Sequence, residues 1–179
     1  MSNATYPNPG IKWGLIAGAA VIATGLTLYK VDERTFFSLK FSVIQLGMCA
    51  VFALLAGWQK KQQLGGFIGF KDALQPIFTT FVIATLIGTM LTYVVVNYVD
   101  PELPNRMKAL DIRDFEAMRQ ANKAAGINNA DLNDALTKLQ QQDYHITFIA
   151  SMLSYFTGLF LDFVISAILA AIIRKKQFA

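Results

Sequence analysis

The chain has one cysteine and one histidine in 179 residues. A single cysteine, Cys49, excludes an intrachain disulfide framework. One cysteine and one histidine also leave too few soft ligands for a standard zinc site, so no metal and no cofactor is expected. Charge is scarce as well. Charged residues make up 16% of the chain, against about 25% in soluble domains. Hydrophobic residues reach 54% and mean hydropathy is +0.41, which excludes a disordered chain and a basic nucleic-acid tail. No Ser/His/Asp set, His-Glu-x-x-His or paired carboxylates stand in plausible reach, so no enzyme is expected.

What is abundant is apolar sequence, gathered in four blocks. They run over about 11–29, 37–58, 77–99 and 146–173, each near or above the roughly 20 residues a helix needs to cross a bilayer. The expectation is an all-α integral membrane protein: a four-helix bundle forming one membrane domain over 1–179. The first block lacks a small-residue cleavage site after Tyr29, and reads as a retained span and not a signal. Trp13, Tyr29, Trp58, Tyr93, Tyr98 and Tyr144 fall near block ends, where amphipathic rings favour the interface.

Loop charge sets the expected orientation. The N-terminus, the 59–76 loop and the C-terminal tail share one side. They carry Lys12, Lys60, Lys61, Lys71, Arg174, Lys175 and Lys176 against the single acid Asp72. The 100–145 segment carries six cations and eight acids. The positive-inside rule then puts both termini in the cytoplasm. Helical proteins of this kind do not span outer membranes.

Two polar segments lie between spans. Leu64–Gln75 places Phe67, Ile68, Phe70 and Leu74 close together and is expected to lie along the cytoplasmic surface before Pro76. The 100–145 segment is expected to form two short amphipathic helices outside the membrane. The first is expected to be capped near Asp111 and to stop at Gly126, with a face of Phe115, Met118, Asn122 and Ala125. The second is expected to be capped near Asn128, with a face of Leu132, Ala135, Leu136 and Leu139.

Small residues recur at four-residue spacing within the spans: Gly14 and Gly18; Ala84 and Gly88; and Ser154, Gly158, Ser166 and Ala170 around Asp162. Such stripes let helices approach closely in lipid. Asp162 lies 11 residues before Ile173, about 16 Å along a helix and so near mid-bilayer. An uncompensated acid there costs about 2.5–3.5 kcal/mol on insertion scales. Thr24, Gln45, Thr85 and Thr89 reach similar depth, and a protonated Asp162 bonded to Gln45 is the expected arrangement. His145 at the outer interface is read as incidental.

Three stretches carry a resemblance: Tyr6-Pro-Asn-Pro-Gly-Ile-Lys-Trp-Gly-Leu-Ile-Ala-Gly18, the Gly65–Leu74 turn, and Gly158-Leu-Phe-Leu-Asp-Phe-Val-Ile-Ser166 ahead of Arg174-Lys-Lys. With four spans and a long segment before the last, the chain resembles the bacterial domain-of-unknown-function family numbered 4199. The resemblance implies a small four-span envelope protein and carries over no catalytic residue. The expected role is a non-catalytic membrane subunit or assembly protein. Its expected partners are the lipid bilayer, a second copy of itself or another envelope protein, and not nucleic acid. The alternative is a small transporter or channel component using Asp162 as a proton or cation site.

Overall fold

Asn8, Pro9 and Gly10 start the first helix for clear local reasons. The Asn8 side chain accepts from the Gly10 amide at 2.9 Å, and Pro9 takes the first helical position, where its missing N–H costs nothing. The computed structural model describes residues 8–36, 38–124 and 130–175. These form α1 (Pro9–Val31), a single turn α2 (Glu33–Phe36), α3 (Leu39–Gln63), α4 (Phe70–Val94), a π-helical turn (Val95–Val99), α5 (Leu103–Ala124), α6 (Ala130–Gln141) and α7 (Phe148–Ile173). The protein is all-α, and among the described residues four helices are long and apolar enough to cross a membrane: α1, α3, α4 with the π-turn, and α7.

The chain divides into two units, one of residues 1–92 with 148–179 and one of residues 93–147. In the first, α1 lies against α4 through its glycines. A Cβ on Gly14 would meet the Ile83 Cβ at 2.8 Å, and one on Gly18 would run into the Ile87 side chain. The buried core there is small and apolar: Ala17, Val21, Cys49, Ala53, Ala73, Ile77, Phe81, Ala84 and Ala170. Large side chains such as Leu15, Val51, Phe156, Phe160 and Ile172 face outward, as they do where lipid is the solvent and close backbone contact drives association.

The Leu64–Gln75 segment does not lie flat as a separate surface piece. Gly65 and Gly66 take left-handed conformations (φ 74° and 90°), turning the chain sharply after α3. Ile68 then pairs with Lys175 in an isolated antiparallel bridge, both hydrogen bonds being 3.1 Å. From Phe70 onward the chain is already α4, so Pro76 sits inside a helix and not at its boundary. Beside the bridge, the Lys61 ammonium donates to the Ile173 carbonyl at 3.1 Å, satisfying one of the acceptors a helix end leaves open. The Lys175 ammonium lies 5.6 Å from the Phe67 ring centroid.

In the second unit, α5 begins at Leu103 and not at Asp111. Asp111 is a mid-helix residue whose carboxylate accepts from the Tyr144 hydroxyl at 2.8 Å. That long-range bond replaces the local capping role its spacing suggested. The expected stop at Gly126 and cap at Asn128 lie outside the described residues. Helix α6 packs on α5 with Leu136 buried and Leu132, Ala135 and Leu139 half-buried. Asn97, in the π-turn, donates to the carbonyls of Tyr93 and Ile146, both at 3.0 Å. One amide thereby closes the base of this unit.

Candidate polar cleft at Asp162

Helix α7 presents Ser154, Gly158, Asp162, Ser166 and Ala170 at four-residue intervals, but the structure divides that row. Asp162, Ser166 and Ala170 are buried. Ser154 and Gly158 are exposed, and a Cβ added to Gly158 would meet nothing within 4 Å. Among the described residues no helix of this chain closes over these two, which line a gap instead. At this level the Tyr155 hydroxyl reaches across to donate to the Val82 carbonyl of α4 at 3.2 Å, and the gap lies beside the small residues. Further along, the Phe78 and Phe163 rings meet edge-on at 5.5 Å.

The gap is a cleft of about 260 Å3 bordered by α3, α4 and α7. Its polar lining is Ser42, Gln45, Thr85, Thr89, Ser154, Tyr155 and Asp162; Leu39, Val43, Leu46 and Leu161 provide apolar wall. Asp162 is only 4% exposed and is the one charged residue of the lining. Thr85 of α4 lines the cleft with it, as does Gln45, the expected partner. The Gln45 amide instead packs on Gly88, so closely that a Cβ there would overlap it.

The threonines of α4 give the cleft its chemical character. Thr85 donates to the Phe81 carbonyl at 2.7 Å and Thr89 to the Thr85 carbonyl at 2.9 Å. A hydroxyl has one proton and two lone pairs. With the proton directed along the helix, each oxygen keeps lone pairs for its surroundings. Ser166 bonds back in the same way, to the Asp162 backbone carbonyl at 2.6 Å.

Of the residues singled out from the sequence, Asp162, Gln45 and Thr89 come together at the cleft. Thr24 does not join them; it donates to the Met48 sulfur at 3.9 Å, between α1 and α3. Gly14 and Gly18 face α4, Gly88 faces Gln45, and Ala84 is wholly buried. Tyr155 and Ser42 were missed. The signal for Tyr155 was its place seven residues before Asp162, two turns up the same helix face; for Ser42 it was the three-residue step from Gln45. His145 is exposed, its amide donating to the Asp143 carboxylate at 2.9 Å. Among the described residues no three His, Cys, Asp or Glu side chains are grouped to hold a metal ion.

Comparison with known proteins gives one relationship. No curated protein and no solved structure matches the chain significantly. The profile of the family described as Protein of unknown function (DUF4199) matches residues 12–175. With nearly its whole length covered, the chain belongs to that family.

Proposed function

We propose that this is a non-catalytic subunit of the bacterial cytoplasmic membrane that holds a proton or a small cation at Asp162. The observation that carries the reading is a nearly buried acid, Asp162, facing a cleft that three spans line with hydroxyl and amide side chains. Intramembrane acids facing a polar cavity are costly to keep and mark ion or proton sites. The lining contains serines but no histidine, and no cation that would activate a hydroxyl, which favours binding over chemistry. The uneven loop charges support placing both termini in the cytoplasm.

Infrared difference spectroscopy on the reconstituted protein tests this, with Asp162→Asn as reference. A carboxyl band that responds to pH, sodium or an organic ammonium, and is absent from the variant, is the expected result. A band indifferent to all three would reduce Asp162 to an interhelical hydrogen bond and overturn the reading.

A further inference from the structure

A second groove, of about 360 Å3, opens where α1 begins and α3 ends. Lys12 and Trp13 line it from α1, and Leu55, Trp58, Gln59 and Gln62 from α3. Positions 55, 58, 59 and 62 follow the spacing of a single helix face. The Trp13 indole N–H donates to the Gln59 side-chain carbonyl at 2.6 Å. That bond orients both side chains and turns the Gln59 carbonyl oxygen to Trp13, leaving its NH2 donors. The Lys12 ammonium stands 5.8 Å from the Trp13 ring centroid, and Trp58 is 59% exposed.

This groove is the chemical opposite of the cleft at Asp162. It gathers an ammonium and amide donors, contains no acid, and is flanked by two indoles and a leucine. Lys60, Lys61, Lys71, Arg174 and Lys175 belong to the same side by topology, with Asp72 the sole acid there. We infer that the groove binds the headgroup of an anionic phospholipid, its phosphate taken by Lys12 with the Gln59 and Gln62 amides and its glycerol and upper acyl chain lying along Trp13, Trp58 and Leu55. Indoles favour this depth of a bilayer, and basic pockets between helices on the cytoplasmic side suit phosphate headgroups. The inference needs the helices to be in a bilayer but does not depend on what Asp162 binds.

The chain has two tryptophans and both border the groove, so indole fluorescence reads the site directly. The experiment titrates the full chain in detergent micelles with phosphatidylglycerol carrying brominated acyl chains, and separately with brominated phosphatidylcholine. Saturable quenching at lower concentrations of phosphatidylglycerol is expected. Lys12→Ala should weaken that lipid about five-fold, the effect of one cation at a membrane surface, while Lys71→Ala, outside the groove, should not. Equal quenching by the two lipids, or a preference that survives Lys12→Ala, would overturn the inference. Perturbation of the emission by inorganic phosphate alone, with the same dependence on Lys12, would show a free-phosphate site and overturn the lipid assignment.

Discussion

Gly10 lies directly against the carbonyl of Pro76, close enough that a side chain on Gly10 would overlap that oxygen. The Thr80 hydroxyl, which donates to the Pro76 carbonyl at 2.9 Å, also lies 3.3 Å from the Gly10 carbonyl. Pro76 lacks the N–H that would bond one turn back, and it stands at the seventh position of α4.

Substituting alanine along the glycines should therefore give an ordered series. Gly10→Ala meets backbone, which cannot rotate away, and should cost about 1–3 kcal/mol as overpacking does. Gly18→Ala meets only the end of the Ile87 side chain and should cost less. Gly47→Ala and Gly158→Ala meet nothing within 4 Å and should be neutral or gain up to about 1 kcal/mol from helix propensity. Thermal unfolding in detergent ranks them. Equal losses at Gly10 and Gly158 would count against the α1–α4 contact.

The phenol of Tyr144 should titrate late. Partial burial and then its hydrogen bond to Asp111 push it up to about 12, from an ordinary value near 10. The protonated form is the one the fold favours, so the contribution of this bond is complete below about pH 10 and is lost as pH rises toward 12. Phenolate absorbance of the wild type should show a late-titrating group that is missing in Tyr144→Phe. Identical alkaline titrations of the two proteins would sink the assignment.

Leu136 is 7% exposed, in the packing of α6. Leu136→Asp replaces buried apolar surface with a charge and should cost about 3 kcal/mol or more locally. Hydrogen exchange should show α5 and α6 losing protection together, with α1, α3, α4 and α7 still inserted. Retained protection along α6, combined with loss of a partner complex, would instead make this leucine a docking residue.

The spans were legible because lipid demands long uninterrupted apolar helices, and hydropathy reads that demand directly. Their ends were less so. Pro76 reads as a boundary on the ordinary rule, yet the helix continues back to Phe70. Asp111 has capping spacing, but its partner Tyr144 is distant in sequence. The start of α5 had a usable sign in Pro104, next to its first residue. At the cleft, depth counting found Asp162, Gln45, Thr85 and Thr89 and could not find which of them pair. Depth is a one-dimensional quantity; the rotation of each helix about its own axis, which turned Thr24 toward Met48, is not encoded in it.

The clasp that joins Ile68 to Lys175 and Lys61 to Ile173 has a consequence for how the molecule assembles. Its lysine bond links positions 112 residues apart, so it has no counterpart while only α1, α3 and α4 have been synthesised. Chains emerge at about 5–20 residues per second, and the turn at Gly65-Gly66 must wait several seconds for its mate. The clasp therefore closes only after the whole of α7 has been made.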